Sequence, residues 1–164
     1  MGGVFINYRG EDSQTAADLI DVALTGWFGS DLVFLDCRSI RAGMDFEPEL
    51  LGRLRACGVL LVVIGPRWLN TCDEAGGRRI DDPLDWVRRE IVVAFAVGLR
   101  VIPVLLDGGR LPSAGELPED IAGLARRQYV PLRRRYFEVD LKELAKRIIE
   151  EDAELVRAVL RRWR

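Results

Sequence analysis

The sequence predicts a doubly wound α/β fold on a parallel sheet, and three observations carry that expectation. Short apolar runs at 4–8, 32–35, 59–64, 101–106 and 129–132 alternate with stretches whose apolar residues repeat at helical spacing. The run Val59-Leu-Leu-Val-Val-Ile64 is apolar at every position, as a central strand covered on both faces must be. The chain has 164 residues, 49% apolar and 30% charged, which suits one soluble domain with an ample core.

In chain order, the strand over 4–8 leads through a turn at 10–13 into a helix over 13–28. Ala16, Leu19, Ile20, Ala23, Leu24 and Trp27 repeat along one side of that helix, and Ser13 is a suitable N-cap. A second strand over 32–35 ends at Asp36. The polar, Gly-containing segment 37–45 reads as a loop, and 46–55 as a short helix. Gly65-Pro66 stops the third strand, and the connection over 67–81 has a length that usually accompanies function or motion.

The next helix is expected to start at Asp82, with Pro83 in its first helical position and Asp85 as the capping-box acid. Leu84, Val87, Ile91 and Phe95 then share one face, while Trp86 and Glu90, four residues apart, share an adjacent stripe. Within the strand over 101–106, Pro103 removes a ladder donor and argues against neighbours on both sides. A Gly/Pro-rich loop over 107–119, a short helix over 121–126 and a strand over 129–132 follow. The tail over 139–163 lacks Gly and Pro and keeps one helical stripe: Leu141, Leu144, Ile148, Leu155, Val159 and Trp163. Domain organisation is expected to be one domain over 1–150, with 151–164 a helical extension that serves as an interface or as the junction to a further domain.

Five strands in this alternation make a flavodoxin-like sheet with helices on both faces. Ligands of such sheets bind outside the carboxyl ends of the strands, at the switch point. The loops after Tyr8 and Asp36, the 67–81 connection and the helix bearing Glu90 should gather there. Fold alone assigns no chemistry.

Composition removes several classes. A net charge of −2 gives no global field toward nucleic acid or an anionic membrane. Only Lys142 and Lys146 among the 24 basic residues are lysine, a bias from which no function follows. Three cysteines (Cys37, Cys57, Cys72) without CxxC spacing argue against a disulfide framework and against zinc. The chain has no histidine, so Ser-His-Asp, Cys-His and His-metal chemistries are out. No long apolar run or signal-peptide pattern appears, and a cytoplasmic location is the expectation.

Glu90 precedes a run, 91–97, with no polar side chain. A half-shielded carboxylate beside an aromatic suits the stabilisation of a transient cation. On this helix alone the simpler reading is a solvated surface glutamate.

Several boxes in matching order change that weighing. Val4-Phe-Ile-Asn-Tyr-Arg-Gly-Glu-Asp12 resembles the first box of Toll/interleukin-1 receptor (TIR) domains, with an ending closer to plant and bacterial members. Asp36…Ile40-Arg-Ala-Gly43…Phe46…Leu50 is similar to the family's BB loop, and Val62-Val-Ile-Gly-Pro-Arg-Trp-Leu69 to its third strand and following turn. Asp85-Trp-Val-Arg-Arg-Glu-Ile91 resembles the helix that carries the glutamate of NAD-cleaving members, and Val101-Ile-Pro-Val104 also resembles the family. The resemblance covers about residues 1 to 150 and implies Glu90 as the catalytic residue. NAD⁺ is then the substrate, with no cofactor and no metal. It further implies substrate contacts at Tyr8, Arg9, Arg41, Phe46 and Trp86, self-association through TIR–TIR contacts, and activation by oligomerisation in bacterial immunity or signalling.

Three of the implied contacts have a plainer alternative. Arg9 pairs with a pyrophosphate or forms a surface salt bridge. Phe46 packs near the adenine or anchors the next helix, and Trp86 walls the nicotinamide side or fills the core. Arg41 stands where some members carry an acid, a departure from the pattern, and Trp68 is expected to be structural. A single carboxylate suffices in principle, because nicotinamide leaves NAD⁺ as a neutral base and needs no general acid, unlike the leaving group of an ordinary glycoside. The competing reading is a non-enzymatic TIR scaffold. A phospho-accepting receiver would need an acid where Gly65-Pro66 stands, and Arg9-Gly-Glu-Asp12 has the wrong charge for an FMN phosphate loop.

Overall fold

In the computed structural model, which describes residues 2–35, 46–162 and 164 (the backbone only at Phe46), five strands form one parallel sheet in the order β2-β1-β3-β4-β5. The strands are β1 (Val4–Tyr8), β2 (Val33–Leu35), β3 (Val59–Ile64), β4 (Arg100–Leu106) and β5 (Val130–Leu132). The expected doubly wound α/β class is therefore what the chain adopts. Period-two alternation divides the core. Val4, Ile6, Val59, Leu61 and Val63 face a cluster with α1 (Gly10–Phe28), α4 (Phe137–Glu151) and α5 (Ala153–Arg162). Phe5, Leu60, Val62 and Ile64 face a second cluster with α2 (Phe46–Ala56) and α3 (Trp86–Val97). Because β1 lies between β2 and β3, the switch point opens at the carboxyl end of β1.

Local departures from the sequence expectations have identifiable causes. Helix α1 begins at Gly10 and breaks at Ser13, whose φ of −146° is not helical, so the expected start marks a kink behind one extra turn. The acid of that turn, Asp12, accepts from the backbone N–H groups of Gly65 and Arg67 at 2.8 and 2.7 Å, tying α1 to the exit of β3. Strand β4 has neighbours on both sides despite Pro103, because its ladder to β5 runs from Val104 to Leu106 and leaves the proline out. The segment 119–126 is a 3₁₀ rather than an α helix.

The tail is two helices, not one. Asp152 is only 8% exposed and receives the N–H groups of Glu154 and Leu155 on Oδ1 and that of Gly3 on Oδ2. The chain turns where this carboxylate caps α5, and Leu155 is then fully buried against the sheet-side core. Trp68 is buried too, in the second cluster, as its structural reading required. Among the described residues no helix is long and apolar enough to cross a membrane.

Candidate functional site

The helix bearing Glu90 starts at Trp86, three residues later than the spacing of Asp82 and Pro83 suggests. Asp82 instead accepts from Leu84 N–H at 2.9 Å in a local turn, and Leu84 is 73% exposed and off the helix. Asp85 is the true N-cap, accepting from Arg88 N–H at 3.2 Å. The later start wins because Asp85 is also held from across the sheet. Both terminal nitrogens of Arg9 donate to its two oxygens, at 3.0 and 2.8 Å. At the other end Gly98 adopts a left-handed φ of 79° and closes the helix, with Leu99 N–H reaching back to Ala94 O.

With this register Val87, Glu90, Ile91 and Ala94 form the buried face of α3. Glu90 is 2% exposed, which replaces the half-shielded position expected from its stripe and excludes the solvated reading. Three residues from Val87, it points at the sheet rather than along its edge. Its Oε2 accepts from Asn7 Nδ2 at 3.1 Å, and the same amide group donates to Val87 O at 3.1 Å.

Beside this pair opens a cavity of about 350 Å³. Its walls come from the end of β1 (Tyr8, Arg9), the start of α1 (Glu11), the 67–81 connection (Asp73, Arg79) and the approach to α3 (Asp82, Asp85, Trp86, Val87). Glu11, Asp73, Asp82 and Asp85 outnumber Arg9 and Arg79 here, and the guanidiniums are paired, Arg9 with Asp85 and Arg79 with Glu11. The local field therefore favours a cation. Val87 of this wall accepts from the same Asn7 amide that donates to Glu90, and neither Asn7 nor Glu90 itself lines the cavity. A larger depression of about 840 Å³ lies on the other side of residues 10–12, toward β4 and β5, and holds none of the expected site residues.

The expected site residues divide into three groups. Tyr8 and Trp86 line the cavity, and the Trp86 ring lies under the Arg89 guanidinium at 4.3 Å, an arginine that also pairs with Glu47 of α2. Arg9 is 3% exposed and bonded inward to Asp85, so it is neither a surface ion pair nor a side chain offered to solvent. Arg41 lies outside the described residues, as does the side chain of Phe46. Two participants went unnoticed in the sequence: Asn7, and Asp85 as the partner of Arg9. A lone amide in an otherwise apolar strand was the available signal for Asn7.

A family model described as a TIR domain matches residues 4–146. The chain belongs to the TIR domain family. It is 31% identical over 122 residues to the NAD(+) hydrolase sarm1 of Drosophila melanogaster, covering 74% of this chain and 8% of that protein. With the NAD(+) hydrolase SARM1 of Danio rerio it shares 26% over 141 residues, 86% of this chain and 18% of that one. With the NAD(+) hydrolase tir-1 of Caenorhabditis elegans it shares 30% over 119 residues, 72% and 11%. The chain thus spans less than a fifth of the length of these relatives. Among solved structures, the TIR domains of the activated Roq1 resistosome recognizing the pathogen effector XopQ superpose with a TM-score of 0.65 at 17% identity, covering 90% of this chain and 99% of that one. This last likeness is one of fold. The matched region of the TIR domain contains Asn7, Arg9, Asp85, Trp86 and Glu90, and it ends within α4.

Proposed function

We propose that this TIR domain is an NAD⁺ glycohydrolase, with Glu90 as its catalytic carboxylate. The observation that carries the reading is the placement of Glu90: an acid 2% exposed, hydrogen-bonded at the switch point, beside an acid-rich cavity walled by Trp86. The reaction develops a cation that a carboxylate so placed can stabilise. The bond between nicotinamide nitrogen and ribose C1′ breaks, its electron pair moves onto the ring nitrogen, and positive charge passes to the sugar. Glu90 stabilises that oxocarbenium-like centre, water adds its oxygen to C1′ and loses a proton, and nicotinamide and ADP-ribose leave. Capture of C1′ by a nucleophile within the nucleotide gives a cyclic product instead.

The same proposal includes activation by TIR–TIR oligomerisation and a role in bacterial immunity or signalling. NAD⁺ is substrate rather than cofactor, and Arg41 and Phe46 are assigned to substrate contact. The names of the animal relatives support the activity class.

The test is nicotinamide release from NAD⁺ at high protein concentration with a crowding agent. Glu90→Gln and Glu90→Ala should each lose about 100-fold or more, the scale of removing one electrostatic group from a transition state. Rates equal to wild type would overturn the assignment. No release by the wild-type protein at any concentration would leave the non-enzymatic scaffold.

A further inference from the structure

We propose that Asn7 is a positioning residue for Glu90, fixing its carboxylate in an acceptor-only orientation at the switch point. The inference rests on the glycohydrolase reading for its catalytic consequence, though not for its geometry. Asn7 is 0% exposed, in a strand whose remaining residues are Val4, Phe5, Ile6 and Tyr8. Phe5 and Asn7 share the face of β1 that looks at α3, so the amide lies beneath that helix by strand parity alone.

The amide can adopt only one orientation there. Val87 O is a backbone carbonyl and can only accept, so the group facing it at 3.1 Å must be the NH₂. That same NH₂ lies 3.1 Å from Glu90 Oε2, so the carboxylate meets a donor that cannot exchange roles with it. A donor held in this way fixes the rotamer of its partner. The cost is visible as well. Asn7 Oδ1 is buried and has no hydrogen-bond partner among the described residues. An apolar side chain would avoid that cost, and the apolar neighbours in β1 suit one. A buried amide left half-satisfied beside a carboxylate is the pattern of a group kept for its donor rather than for stability.

The experiment is a double-mutant cycle on nicotinamide release with Asn7→Leu and Glu90→Gln, paired with crystal structures of wild type and Asn7→Leu. Asn7→Leu should lower kcat by about 10- to 100-fold with KM within about 3-fold, the range for one hydrogen bond to a charged group. In the Glu90→Gln background the same change should cost less than about 3-fold, because its route to the reaction is already gone. The Asn7→Leu crystal structure should show the Glu90 side chain in another rotamer on an unmoved α3 backbone. Equal losses in the two backgrounds would overturn the inference, as would unchanged kcat or an unmoved Glu90. An inert wild-type protein would defeat the glycohydrolase reading alone, and the crystal structures would then decide the role of Asn7. Should Asn7→Leu not fold, Asn7→Ser, whose short hydroxyl cannot span both acceptors, carries the same expectations in both arms.

Discussion

Breaking the Arg9–Asp85 pair should show it to be a structural clamp between β1 and α3. The pair is bidentate at 3.0 and 2.8 Å, with side chains 3% and 10% exposed. Arg9→Met keeps length and apolar contact but leaves the part-buried Asp85 carboxylate without its guanidinium; stranding one member of a buried pair costs about 3–5 kcal/mol in other proteins. The lower end applies, because Asp85 still receives the Arg88 N–H as N-cap. Asp85→Asn preserves a capping oxygen and strands the guanidinium, whose Nε already has no hydrogen-bond partner among the described residues. Each single variant should therefore lose about 3 kcal/mol, read as a fall of roughly 1.5 M in the urea midpoint at a slope of about 2 kcal/mol/M. The double variant should lose clearly less than the sum, since its second change removes a charge already unpaired. A loss below about 1 kcal/mol in Arg9→Met, accompanied by a raised KM for NAD⁺, would refute the clamp and return Arg9 to the phosphate contact expected from its place in the sequence.

Removing residues 153–164 should lower the melting temperature by roughly 4–10 °C, because Leu155 is fully buried against the core and its loss alone is worth about 2–3 kcal/mol. A melt unchanged within 1 °C would make that segment an appendage. Asp140, buried on the first turn of α4, is held below its ordinary pKa of 3.8 by hydrogen bonds from the Arg133 side chain and backbone N–H. Its folded value is depressed, so the stability it adds is complete above the unfolded value and fades as pH falls through the folded one. Urea unfolding of wild type and Asp140→Asn should thus differ by a constant amount from pH 7 to 5 and converge below about pH 4. A gap that persists at pH 2 would contradict this linkage.

Much of the fold was legible because its signals are local. The alternation of apolar runs located all five strands, and the wholly apolar Val59–Ile64 run announced a central one. Errors fell where a distant group decided a boundary. Asp82 and Pro83 make a sound helix start on local grounds, yet the cap that wins is Asp85, held by an arginine 76 residues away in sequence. The 139–163 stripe looked continuous because Asp152 is an ordinary helix residue until Gly3 N–H is known to bind it. For the site, a recognisable order of motifs singled out Trp86 and Glu90, but no periodicity could show that Asn7 lies 3.1 Å from Glu90 across 83 positions.

One strand face nonetheless explains why these groups converge. Arg9 follows β1 with extended dihedrals (φ −100°, ψ 120°), so the alternation of the strand continues one residue past its end. Phe5, Asn7 and Arg9 therefore look toward α3 in succession. The first meets the apolar cluster, the second meets Val87 O and Glu90, and the third meets Asp85 at the helix N-cap. Polarity rises along this stripe as the chain leaves the sheet, from ring to amide to guanidinium. Each group matches what the facing turn of α3 presents at that depth. The carboxylate of Glu90 is thus placed by two features that neither element has alone: the parity of β1 and the register of α3. A slip of β1 by one residue would bring Ile6 or Tyr8 opposite the acid, and a slip of α3 would bring Arg89 or Ile91 opposite Asn7.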